Sequence, residues 1–258
     1  MAENQYDFPT EVLDLPSKGL LYPKENPLSS GRIDIKYMTA KEEDILTSTN
    51  LLEKGLAIDK LLESIIANPK VKLDDILLGD KNAIMIGARI LGYGKNYEIT
   101  MMDPDTVQEV TTTVDLSTIK HKVVDQSVLE EQSEGKFTFE LPNTKRTLEF
   151  KLLTHKDEKV IEETERALEK VSPDGVQSKL TSRYKQQILS VDGDTKPTTI
   201  NRFIDKEFLS LDSREFRNYV KSITPDVDLT FEYTSQTGDP HTVNIPIGVQ
   251  FFWPDVSI

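Results

Sequence analysis

Apolar positions along the chain switch repeatedly between two periods. From Ile33 to Met38 the residues alternate, with Ile33 and Ile35 on one face and Asp34 and Lys36 on the other, the signature of a short half-buried strand. Thr39 and Glu42 then form a Thr-x-x-Glu box, which satisfies the free amide donors at a helix start. Helical spacing follows through Ile45, Leu46, Leu51 and Leu52, and again through Leu56, Leu61, Leu62, Ile65 and Ile66, until Pro69 stops it. Asp80 is expected to cap a further helix carrying Ile84, Met85, Ala88, Arg89 and Leu91, with Gly92 and Gly94 at its end. Tyr97 to Thr100 and Val107 to Val114 read as two strands about the turn residues Asp103-Pro104-Asp105.

The same order returns in the second half. Leu148, Phe150 and Leu152 share one face of a strand, Thr154 and Asp157 stand where Thr39 and Glu42 stood, and helices are expected near 156–171, 176–191 and 199–209. Asp212 is expected to cap a helix carrying Phe216, Tyr219, Val220 and Ile223, which Pro225 stops. A hairpin then joins Leu229 to Thr234 with Val243 to Ile247 about Thr237-Gly238-Asp239-Pro240. Residues 33–46 align without a gap on 148–161, with identities at Lys36/Lys151, Thr39/Thr154, Lys41/Lys156 and Glu43/Glu158. The pattern reads as a duplication. It predicts an α+β fold of two tandem helix-plus-hairpin lobes related by an approximate twofold, at 31–120 and 137–258, joined by a polar linker at 121–136. Pro142-Asn143-Thr144 marks another hairpin turn, whose second strand opens the second lobe.

Both ends break that symmetry. The first thirty residues hold Pro9, Pro16, Pro23 and Pro27, which favour an extended segment. Leu15, Leu20, Leu21 and Tyr22 make this arm too apolar for a solvated tail, so it is expected to lie on a surface, its own or a partner's. The other end closes on Phe251-Phe252-Trp253-Pro254, with the chain's one tryptophan. Either a terminal strand closing the core or an interface anchor fits that composition. The candidate partner contacts are therefore Leu15, Pro16, Leu20, Leu21, Tyr22, Phe251, Phe252 and Trp253.

Composition narrows the classes. The chain has 258 residues, 37% hydrophobic and 29% charged, as an ordinary globular protein does. No apolar run approaches the ~20 residues of a membrane span, and no basic, apolar leader marks export, so folding in a cytoplasm is expected. With 31 Lys and Arg against 44 Asp and Glu the net charge is −13, which repels phosphate backbones and argues against nucleic acid as partner. Glu162, Glu163, Glu165 and Glu169 form the densest acidic run, expected to be a solvated helix face. Zero cysteines exclude disulfides, thiolate chemistry and cysteine-ligated zinc.

Motifs for chemistry are weak. His121, His155 and His241 lie far apart without metal-ligand spacing and are expected to be surface or capping residues. Gly92 and Gly94 close a helix, whereas a phosphate-binding turn should open one. Val191-Asp192-Gly193-Asp194 lacks the later ligands of a calcium loop. No serine lies in a nucleophile elbow. Neither cofactor, metal nor catalytic residue is therefore expected. A carboxylate-based, metal-dependent hydrolase and a bacterial adaptor protein are the alternatives to a non-enzymatic assembly role.

Leu15-Pro16-Ser17-Lys18-Gly19-Leu20-Leu21-Tyr22-Pro23, Met38-Thr39-Ala40-Lys41-Glu42-Glu43-Asp44-Ile45-Leu46, Leu77-Leu78-Gly79-Asp80-Lys81 and Phe251-Phe252-Trp253-Pro254 together resemble the baseplate hub assembly proteins of T-even-type contractile-tailed phages. The resemblance spans nearly the whole chain. It implies a non-enzymatic viral protein that acts with other baseplate hub proteins in the host cytoplasm during assembly or in the virion tail. It also implies Cys-x-x-Cys pairs on both hairpins, consistent with zinc knuckles. This sequence departs there, with Met101-Met102-Asp103-Pro104-Asp105-Thr106 and Tyr233-Thr234-Ser235-Gln236-Thr237-Gly238 at the turns. Metal binding does not carry over, and turn chemistry and packing are expected to hold the hairpins instead.

Overall fold

Alternation builds the first sheet. In a computed structural model, which describes residues 8–130, 135–171 and 179–252, β2 (Arg32–Lys36) buries Ile33 and Ile35 and turns Arg32, Asp34 and Lys36 outward. Its antiparallel neighbour is β1 (Thr10–Asp14), with Val12 opposite Asp34. The proline-rich arm is thus not simply extended. After β1 it folds back through tight turns that bury Leu15, Tyr22 and Leu28. Beyond β2 come α1 (Ala40–Thr47), α2 (Thr49–Glu53) and α3 (Ala57–Ile65), where Ser48 and Gly55 break what the spacing suggested were longer runs. The box at α1 forms: the Glu42 carboxylate accepts from the Thr39 amide at 2.9 Å and from its hydroxyl at 2.6 Å.

The next helix, α4 (Leu78–Tyr93), ends at Gly94 with φ +81°. It leads into the hairpin of β3 (Asn96–Met102) and β4 (Glu109–Asp115). Gly92 lies inside the helix, where an added Cβ would meet the Met38 sulfur at 2.8 Å. The expected polar linker carries a short helix, α5 (Gln126–Glu130), whose Leu129 is buried. Residues 120–122 also pair with Asp226 and Asp228.

The second sheet has three strands, β5 (Lys136–Glu140), β6 (Thr147–Lys151) and β7 (Ile188–Val191), with β6 central. Between β6 and β7 run α6 (His155–Val171) and α7 (Lys179–Gln187). The expected helix at 176–191 therefore stops at Gln187. Leu148 pairs with Val191 and Phe150 with Ile188, so these residues gain a ladder along β6 that an isolated helix end could not offer. Then follow α8 (Pro197–Lys206), α9 (Ser210–Ile223), the hairpin β8 (Thr230–Thr234) with β9 (Pro240–Asn244), and α10 (Val249–Phe252).

The fold is α+β, with helices beside small antiparallel sheets. Two apolar cores form, but they do not divide the chain at 137. The first joins residues of β2, α3, α4 and β3 to Val227, Ile245, Phe251 and Phe252 from the far end. The second gathers Phe137, Phe150, Phe203 and Phe216, with Leu20 and Leu21 of the arm packed against it. Residues near each end thus contribute to the core of the opposite half. Phe251 and Phe252 form a helical turn rather than the strand expected of them. A strand would send Phe251 and Phe252 to opposite faces, whereas here both are fully buried.

Candidate functional site

Local rules place Asp80 and Asp212 at helix caps, and the structure moves both one turn inward. α4 begins at Leu78 and α9 at Ser210, so each aspartate is the third residue of its helix. Each receives hydrogen bonds from a turn that follows a Leu-Pro pair. Asp80 accepts from the Ser17 amide (2.9 Å), the Ser17 hydroxyl (2.6 Å) and the Tyr22 hydroxyl (2.7 Å). The Tyr22 oxygen in turn accepts from the Leu77 amide at 3.0 Å. Asp212 accepts from the Asn143 amide (2.8 Å), the Thr144 amide (3.1 Å) and the Thr144 hydroxyl (2.8 Å).

The two carboxyls differ in their proton affinity. Burial is the largest influence on Asp80 and raises its pKa, against the donors of Ser17 and Tyr22. Burial, and then Asp80, push the Tyr22 hydroxyl well above the ordinary phenol range. At Asp212 burial also opposes ionisation, but the Thr144 and Asn143 donors outweigh it and hold the pKa below the usual range. The Ser17 turn depends on glycine. Gly19 has φ +78°, and a Cβ there would lie 2.4 Å from the Ser29 oxygen.

A third cluster joins the two halves. The His155 amide donates to the Ile76 carbonyl at 2.8 Å, and the Leu78 amide to the Leu153 carbonyl at 3.2 Å. His155 itself is 2% exposed, which corrects the expectation of a surface or capping histidine. Its Nδ1 lies 3.1 Å from Lys81 Nζ, and its Nε2 lies 3.2 Å from Asp59 Oδ2. Nε2 and Asp59 face each other without a well-aligned hydrogen bond. Lys81 also reaches Glu158 at 3.2 Å. Burial opposes ionisation at Asp59, yet His155, followed by Lys81 and Lys159, holds its carboxyl below the usual range. An aspartate–imidazole pair can orient a general base. Here both ring nitrogens face Asp59 and Lys81, so the group ties α3 and α4 to α6.

The hairpin tips hold each other. Asp103 accepts from the Thr106 and Asp105 amides of its own turn, and from the Tyr233 hydroxyl (2.8 Å) and Gln236 amide (2.9 Å) of the other. These donors, led by the Thr106 amide, hold its pKa far below the ordinary value. Asp105 receives the Thr237 hydroxyl at 2.8 Å and lies 2.9 Å from His241 Nε2. Turn chemistry, expected within each hairpin, thus also operates between them.

Buried Arg89 secures the C-terminal turn. Its Nε donates to the Phe251 carbonyl at 2.8 Å and its Nη1 to the Gly94 carbonyl at 3.1 Å, and its guanidinium stacks near the rings of Tyr93 and Tyr97.

Of the residues expected to meet a partner, Leu15, Tyr22, Phe251 and Phe252 lie inside the first core, and Pro16 is buried. Leu20 and Leu21 are half-buried at the second core. Trp253 lies outside the described residues. Asp59 escaped the sequence reading, and so did the distant ties of Asp103, Asp105 and His155, because each is completed by groups far away in the chain. Among the described residues, no three His, Asp or Glu side chains converge to hold a metal ion. No described helix is long and apolar enough to cross a membrane.

The chain matches no curated protein and no solved structure at a significant level. A family model does match, over residues 21–253, which include Asp80, Asp212, His155 and both hairpin tips. The chain belongs to the family of the T4 bacteriophage base plate protein.

Proposed function

We propose that this chain is a non-enzymatic component of the phage baseplate hub, acting through contacts with other hub proteins as a structural subunit or an assembly factor. The family match over residues 21–253 carries this reading. The use of the buried polar groups supports it. Asp80, Arg89, His155 and Asp212 each bind elements of this chain to one another, the work of a rigid scaffold rather than a reaction centre. Assembly would take place in the host cytoplasm, with the tail baseplate as destination.

The same reading includes a duplicated architecture. In each half an antiparallel strand pair, turning after Leu-Pro, precedes a threonine-started helix, and later a helix with aspartate at its third position precedes a hairpin. Ile66 also bridges Ile35 much as Ile188 pairs with Phe150. Two lobes related by an approximate twofold would account for this recurrence.

Affinity purification of the tagged chain from infected cells tests the hub role, with hub proteins expected at fixed ratios and recovery of the chain alone counting against it. Quantitative mass spectrometry of purified virions then separates a subunit, present at constant copy number, from an assembly factor, absent from the particle.

A further inference from the structure

A groove of about 550 Å³ lies where α7 and α9 face the start of α4. Its floor is apolar, formed by Leu77, Leu152, Leu153 and Val220, and Leu180 stands at its margin half exposed, at 50%. Lys81, Arg183, Arg217 and Lys221 line it against two acids, Glu158 and Asp226. Those acids already have partners. Glu158 pairs with Lys81 at 3.2 Å, and Asp226 accepts from Asn82 at 3.0 Å and from the Val227 amide at 2.8 Å. Arg217 donates to Tyr184 and Ser213. Arg183 and Lys221 make no ion pair among the described residues. Lys122 adds charge nearby, its Nζ donating to the Lys221 carbonyl.

The groove is thus net cationic on a chain of net charge −13. With both acids already paired, Arg183 and Lys221 make the groove favourable to carboxylates. We propose that the groove docks an acidic, leucine-bearing segment of another baseplate protein, its aliphatic side chains on the floor and its carboxylates at Arg183 and Lys221. This rests on the reading of the chain as a baseplate component. A second copy of this chain is the weaker occupant, because two bodies of that charge repel as wholes.

The test uses the full chain with Leu180→p-benzoylphenylalanine, supplied to infected cells in place of the native chain. Irradiation, isolation of baseplate complexes and mass-spectrometric mapping should find an adduct on a segment of a different baseplate protein, rich in Asp or Glu and carrying leucines. Adding Arg183→Glu and Lys221→Glu should lower the adduct yield per chain roughly tenfold, and Arg183→Gln with Lys221→Gln by roughly threefold, since charge across an interface governs encounter. The glutamine pair adds no repulsion and keeps the test usable should the reversal disturb folding. Adducts confined to this chain or a second copy, no adduct, or a yield indifferent to both pairs would overturn the proposal. An unmodified chain that stays out of every baseplate complex would overturn the proposed function with it. A chain that enters them with a silent probe would overturn the groove alone.

Discussion

Asp80 and Asp212 hold the same place in their helices, yet substitution separates them. Both oxygens of Asp212 face donors, two of them backbone amides that cannot turn away. Asparagine there sets an N–H against an N–H, at a cost of about 1–3 kcal/mol. Asp80 meets one amide and two hydroxyls, and hydroxyls rotate to accept. Asp80→Asn should therefore cost about 1 kcal/mol or less. Urea midpoints at neutral pH check the ranking, and the reverse order would refute it. The pH dependence is opposite at the two positions. The depressed pKa of Asp212 gives stability that is complete above an unfolded value near 3.9 and lost as pH falls through the folded one. The raised pKa of Asp80 gives stability present at low pH and lost as pH rises through its folded value. Titrating the two asparagine variants against the parent should give stability differences that shrink on acidification for Asp212→Asn and on alkalisation for Asp80→Asn. Asp103 follows Asp212 in sign. Asp103→Asn should free the hairpin tips, read as faster amide exchange at Thr106 and Gln236 with the rest of the chain unchanged.

At the scale of elements, the start of α4 approaches the segment after α9 as closely as backbone allows. A Cβ on Gly79 would fall 1.9 Å from the Pro225 carbonyl oxygen, whereas one on Gly248 meets nothing within 4 Å. Gly79→Ala should cost about 3 kcal/mol or more by forcing the two backbones apart, and Gly248→Ala should stay within about 0.5 kcal/mol. Thermal unfolding of both variants measures this, and a neutral Gly79→Ala would mean the contact is looser than described. Strand β2 and the start of α1 were legible in sequence, because alternation and capping act within a few residues. Strand β7 was not. Its residues carry a helical pattern, and only β6 alongside makes extension the better state.

The whole molecule is laced together by its ends. Leu20 and Leu21 pack on the second core, while Phe251 and Phe252 complete the first. Phe251→Ala should therefore cost about 3–5 kcal/mol, although it lies near the chain's end. Calorimetry should show one cooperative transition for the parent chain, since neither core is complete without residues from the other half. Two resolved transitions would show that the halves fold independently.

Sequence by itself determined the α+β class, the two hairpins, the threonine-started helices and the recurrence of their order. Each of these follows from propensity, period and capping, which operate over the length of one element. Only the tertiary structure decided that Leu15, Tyr22, Phe251 and Phe252 are core, that Asp80 and Asp212 receive turns rather than cap helices, and that His155 is buried between Asp59 and Lys81. Those outcomes depend on donors and apolar faces brought together from up to 162 positions apart, as in the bond from Arg89 to Phe251. A distant partner leaves no periodic trace in the chain, so only folding reveals it.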